Sequence, residues 1–198
     1  MPGKLIVSGL KALDIGPVNL EINPGETVCI KGDSGSGKSI MLKAIVDIIP
    51  HDGDVFLGTT SMNMVSGPEW RKKVGLLPAS SSWWEDRVRD HFIFPEQTDF
   101  GIMGFENDIL EWEIKRLSSG EKQRLSILRL LENRPEALLL DEPTANLDPG
   151  NTERVENIIS DFSKSTGCPV IWVSHDTAQA DRIASRLFIM NNGKLTEG

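Results

Sequence analysis

Cysteine is scarce: the 198-residue chain has two, Cys29 and Cys168. They form no CxxC pair and stand far apart, which excludes a disulfide framework; two free thiols in a reducing compartment are expected. Long apolar runs are missing as well. No stretch approaches the roughly eighteen residues that a membrane helix requires. The opening MPGKLIVSGLKALDIG lacks the sustained apolar core of a secretion signal. The expectation is a cytoplasmic chain that reaches a membrane only through a partner. Basic residues are outnumbered, 21 Lys and Arg against 29 Asp and Glu, for a net charge of −8. That deficit argues against nucleic acid as a partner, and the short run Arg71-Lys72-Lys73 reads as a solvated face. Aromatics are absent from residues 1–55; Phe56 is the first.

What is present is an ordinary globular composition, 39% hydrophobic and 25% charged, in a length suited to one domain or a core with a small subdomain. Short apolar runs at 26–32, 54–58, 73–78, 136–142, 169–176 and 186–190 read as strands. EALLLDE and PVIWVSHD contain continuous apolar runs, as strands buried on both faces of a parallel sheet do. Helical patterns fall between them. One covers 38–49; one covers 119–132, with Leu125, Leu128 and Leu131 on one stripe; one covers 149–163, with Val155, Ile158, Ile159 and Phe162 on another. Asp148 is placed to cap the last helix and Pro149 to open it. NNG at 191–193 has the chemistry of a hairpin turn. Strands alternating with helices predict an α/β sheet with crossover connections. Residues 80–116 break the rhythm and read as a small inserted, mostly helical lobe.

GDSGSGKS (32–39) follows a strand and opens a helix, the setting a phosphate-binding loop requires. Gly32, Gly35 and Gly37 let the backbone wrap closely, so that its N–H groups face phosphate oxygens. Ser34, Ser36 and Ile40 belong to the same cradle. Lys38 brings a mobile positive charge to the terminal phosphates, and Ser39 offers a hydroxyl to Mg²⁺. ALLLDE (137–142) ends a buried strand in two carboxylates at the sheet edge where α/β ligands sit. Asp141 is the candidate Mg²⁺ partner and Glu142 the candidate water-activating group. His175, in SHD (174–176), ends the next strand and is placed to reach the same edge. LSSGEKQRLS (117–126) has the Ser118–Glu121 spacing of a capping box at a second helix start.

These motifs together resemble the ABC-type ATPases, in order and approximate spacing, over essentially the whole chain. LSSGE resembles the signature that other phosphate-loop families lack, with Ser119 where glycine is usual. The resemblance implies a P-loop NTPase of the ABC nucleotide-binding-domain fold as a single domain over 1–198. Residues 1–79 and 117–198 would form a RecA-like core with an antiparallel β-subdomain, and 80–116 a helical subdomain. It implies ATP and Mg²⁺ as cofactors, and Lys38, Glu142 and His175 as catalytic residues. It implies a head-to-tail homodimer in which Ser118 and Gly120 complete the ATP site of the other subunit and Asp148 communicates across the interface. It also implies an integral membrane permease as partner, and a location on the inner face of the cell membrane. SSWWEDRVRDHFIFPEQ (81–97) resembles the corresponding stretch of stand-alone bacterial iron-export ATP-binding subunits, where the family forms part of a groove for the membrane subunit. One exposed Trp there would suit a protein contact; equally, Trp83, Trp84, Phe92 and Phe94 would suit the core of the lobe.

Two departures stand out. Ala79 occupies the register of a glutamine that touches Mg²⁺ or the attacking water, and the aromatic that stacks on adenine upstream of the loop is missing. Weaker coupling to the lobe and modest purine discrimination are therefore expected. The rival readings are a soluble ABC ATPase outside transport and a nucleotide-dependent regulatory module with little turnover.

Overall fold

The computed structural model describes residues 3–198. It contains two sheets. The first is antiparallel, in the order β2 (Ile15–Ile22), β1 (Leu5–Ala12), β4 (Asp52–Leu57), β5 (Thr60–Ser61). The second has the order β10 (Lys194–Glu197), β9 (Arg186–Asn191), β3 (Thr27–Lys31), β8 (Val170–Val173), β7 (Ala137–Asp141), β6 (Val74–Leu77). From β9 to β6 its strands run parallel, and β10 closes it as an antiparallel edge. This is the α/β architecture of a P-loop NTPase, and it brings the loops after β3, β7 and β8 out side by side.

The burial of β7 and β8 explains why their sequences do not alternate. All five residues of β7 and all four of β8 are buried. Leu139, Ile171 and Val173 face a core shared with β1, β4 and the helix α1 (Lys38–Ile45). Leu138, Leu140, Val170 and Trp172 face the opposite core, with α3 (Ser119–Glu132) and α4 (Pro149–Thr166). Each buried Leu on these strands contributes about 1.5–3 kcal/mol over its exposed state.

Helix boundaries follow local chemistry. α3 has the predicted bounds, and Val155 and Ile159 are the buried stripe of α4. α1 is shorter than predicted. It stops because Asp47 takes φ 55 and the amides of Asp47 and Ile48 turn back to the carbonyls of Ala44 and Lys43, a Schellman ending that does not need glycine. A helix α2 (Gly67–Lys73) carries the basic run Arg71–Lys73 at its end, with Arg71 and Lys72 exposed as expected. The β9–β10 turn has Asn192 at φ 45 and Gly193 at φ 74, the pair of positive angles of a type I′ hairpin.

The segment after β6, expected as a mostly helical lobe over 80–116, takes its helical form as 3₁₀ turns. It holds five short 3₁₀ turns, at Val88–His91, Pro95–Gln97, Phe100–Met103, Asn107–Glu111 and Ile114–Arg116, and no α-helix among the described residues. Pro95, the left-handed Gly104 and the Asp99 side chain, which accepts from Gly101 N, each reset the chain before a second turn forms. Its apolar residues, among them Val88, Phe92, Phe100 and Met103, join the core of α3 and α4. Of its four singled-out aromatics, Phe92 is buried and Trp83 half-buried, while Trp84 is 66% and Phe94 52% exposed. Both thiols are buried, which pushes the Cys29 pKa up to about 11 and that of Cys168 to about 12.

Candidate functional site

The register of the large sheet sets the site. Ile30 on β3 pairs with Val173 on β8, and Val173 pairs with Asp141 on β7. The residues that follow, 32–39, Glu142 and 174–176, therefore meet at one edge.

The loop 32–39 is held from two sides. A Cβ on Gly32 would overlap the carbonyl of Met190 at the end of β9, and one on Gly37 would overlap the Ile15 side chain of β2. Gly37, at φ 108, is the N-cap of α1 and provides no side-chain cap. No hydrogen bond is recorded for the amides of Gly35, Gly37, Lys38, Ser39 and Ile40 among the described residues. These are donors that an anion would satisfy. Ser36 Oγ is buried and without a partner, again as an acceptor-bearing ligand requires. Ser34 stands exposed at the tip of the loop and Ile40 lies half-buried in the first turn. Lys38 is 6% exposed; its Nζ donates to the carbonyls of Gly32 at 2.6 Å and Asp33 at 2.9 Å.

Two side-chain pairs face this loop. Ser39 Oγ donates to Asp141 Oδ2 at 2.6 Å, so a hydroxyl and a buried carboxylate from different elements converge on one point. That oxygen pair fits Mg²⁺, which takes one or two protein oxygens and fills the rest of its shell with phosphate and water. Beside it, His175 Nε2 lies 2.7 Å from Glu142 Oε1. Glu142 adopts φ 51, which is uncommon for a residue with a Cβ. Its N–H donates to Val173 O and its carbonyl accepts from Ala145 N, and these bonds hold the bend that directs the carboxylate to His175.

The second helix start is built differently. Ser118 caps α3, its Oγ accepting from Glu121 N. Ser118 N and Oγ each donate to Glu121 Oε2 at 2.8 Å, and these bonds hold that carboxyl below its usual pKa. This end of the helix already carries an internal anion, so it has fewer donors to offer than the open start of α1. Asp148 caps α4, accepting from Asn151 N at 3.0 Å, and this lowers its pKa. Gly120 lies against the carbonyl of Asn146 and the Leu147 side chain, which brings the α3 start beside the segment ending at Asp148. No hydrogen bond joins Ser118, Gly120 or Asp148 to residues 32–40 among the described residues. The structure thus gathers the residues into two groups.

Ala79 is exposed just after β6. Sequence reasoning missed Thr144, Glu156 and Gln179, which bond to one another close behind the Glu142 and His175 loops. Gln179 lies on α5 (Thr177–Ile183), whose seven residues are too few to display a period.

Comparison with known proteins gives these groups a context. The family model described as ABC transporter matches residues 15–145. The Fe(3+) ions import ATP-binding protein FbpC of Streptomyces avermitilis is 31% identical over 205 residues, which cover 91% of this chain and 56% of that protein. The phosphate import ATP-binding protein PstB of Aeropyrum pernix is 29% identical, over 91% of this chain and 81% of its own length. A protein named "Probable iron export ATP-binding protein FetA" in Escherichia coli is 33% identical over 80% of this chain and 76% of its own length. In fold, a bacterial Atm1-family ABC exporter with ATP bound superposes with a TM-score of 0.84 at 18% identity, over 99% of this chain and 38% of that one. The chain belongs to the ABC transporter family, among its ATP-binding proteins.

Proposed function

We propose that the chain is an ATP-hydrolysing subunit that closes with a second copy around two ATP molecules and drives a separately encoded membrane permease. The observation that carries the reading is the adjacency of the Ser39–Asp141 and Glu142–His175 pairs at the open start of α1. Lys38 and the free amides of Gly35 and residues 37–40 would hold the phosphates. Ser39 and Asp141 would hold Mg²⁺, which when bound neutralises phosphate charge and orients the terminal group. Glu142 would accept a proton from the attacking water, and His175 would keep its carboxylate aimed there. Ser118, Gly120 and Asp148, apart from the loop in one chain, would act on the ATP of the other copy.

No helix among the described residues is long and apolar enough to cross a membrane. A permease would therefore supply the crossing, with this chain peripheral on the inner face. The cleft of about 430 Å³ beside β6 and α3, lined by Leu76, Leu77, Pro78, Trp84, Ile93 and Leu130, is the proposed docking place. The named substrates and directions of the relatives differ, so neither is assigned to this chain.

The test is Mg-ATP turnover in the wild type and in Lys38→Ala, together with recovery of the tagged chain from membranes. A tenfold or greater loss, about what losing a charge-assisted phosphate contact costs, supports the enzyme. Co-purification with an integral membrane protein supports transport; recovery without one favours a soluble ATPase. The exposed Ala79 favours the rival of a module with little turnover. Ala79→Gln is expected to raise turnover or its stimulation by the permease; an unchanged rate would show that position 79 does not limit the cycle.

A further inference from the structure

We infer that Gln179 is a positioning residue that holds the Glu142 loop and the His175 loop in register, an inference that rests on the proposed hydrolysis. Gln179 is 2% exposed, although α5 lies at the surface. Its Oε1 accepts from Ser174 Oγ at 2.7 Å, next to His175. Its Nε2 donates to Thr144 Oγ1 at 2.9 Å, two residues after Glu142, and to Glu156 Oε1 of α4 at 2.8 Å. Its backbone N–H donates to Asp176 Oδ1 at 3.2 Å. One side chain therefore bonds both loops that carry the candidate water-activating pair, and the helix that follows Asp148.

The chemistry requires an amide here. Glu156 accepts from Arg182, Nη2 donating to Oε1 at 2.8 Å and Nε to Oε2 at 3.2 Å, so both its oxygens serve as acceptors. The group facing it must donate, while the group facing Ser174 Oγ accepts. Glutamine satisfies both ends at once. Glutamate would put two carboxylates in contact, and leucine would leave Ser174, Thr144 and Glu156 short of partners in a buried place. α5 also reaches the phosphate loop: Lys31, the residue before Gly32, donates through Nζ to Thr177 Oγ1 at 2.5 Å. The Glu142 and His175 loops and the end of β3 that leads into the phosphate loop are thus tied to this one short helix.

The test uses Gln179→Leu and Gln179→Glu. Loop misalignment on this scale is expected to lower kcat about tenfold in each single variant, with KM for Mg-ATP within about threefold of wild type. Hydrogen exchange without nucleotide gives a reading independent of turnover. In Gln179→Leu the amides of 142–148 and 174–177 are expected to exchange faster, with those of β3 and α1 unchanged. An unchanged kcat, or faster exchange throughout the sheet, would overturn the inference. A wild type without turnover would remove the proposed hydrolysis, and the exchange pattern would still decide the positioning.

Discussion

Glu142→Gln is expected to lower Mg-ATP turnover about a hundredfold or more, the range for loss of a general base, while leaving Mg-ATP binding intact. The separation follows from geometry. The proposed phosphate and Mg²⁺ partners lie on residues 35–40 and Asp141, whereas the Glu142 carboxylate bonds to His175. Glutamine has the same shape, tolerates φ 51 no worse than glutamate, and keeps an acceptor for His175. Trapped in the ATP-bound state, the variant is expected to shift from monomer to dimer with Mg-ATP, read as solution mass by light scattering. A dimer would mean that the capped start of α3 completes the opposing site. A persistent monomer would mean that two isolated copies do not close, and that a membrane partner holds them. Turnover within threefold of wild type would take Glu142 out of the chemistry.

Arg129→Ala is expected to cost about 3 kcal/mol of stability, summing two cation–π contacts and one hydrogen bond. Its guanidinium lies 4.5 Å from the Trp83 ring and 4.9 Å from Trp84, and Nη2 donates to Ser82 O at 3.1 Å. His91 meets both indoles edge-on at 4.7 Å. One α3 side chain thus fastens the start of the inserted segment, and burial pulls its own pKa down. The thermal midpoint is expected to fall by roughly 6–12 °C for a domain of this size, with tryptophan emission moving to the red. Arg129→Lys is expected to recover less than half, because an ammonium cannot stack over two rings. An unmoved midpoint would assign the anchoring to Glu132, which accepts from the amides of Ile93 and Phe94.

The parts legible in the sequence were local. The phosphate loop, the Ser118–Glu121 cap and the Asp148–Pro149 helix start each fit within eight residues, and their hydrogen bonds are the ones their spacing implies. Strands β7 and β8 were legible because burial on both faces leaves an unbroken apolar run. Strands β1 and β2 were reached only through resemblance: the register shifts after Val7 and Leu10 break the alternation of β1, and the alternating stretch of β2, Val18 to Ile22, is only five residues long. The 3₁₀ character of the inserted segment was not legible because single residues such as Pro95 and Gly104, not periodicity, decide its turns. Gln179 was invisible because its importance lies in Thr144 and Glu156, 35 and 23 positions away.

The glycines of the phosphate loop carry one more consequence. Gly16 N donates to Gly193 O, and Gly193 N donates to Ser36 O, so two hairpins and the loop form a single laced unit. With Gly32 against Met190 and Gly37 against Ile15, its path is imposed by the strands packed around it. The conformational entropy of shaping the cradle is therefore spent during folding and not at binding. Encounter with ATP then becomes a lock-like event, whose heat-capacity change should be small and whose rate should be set by diffusion rather than by loop ordering.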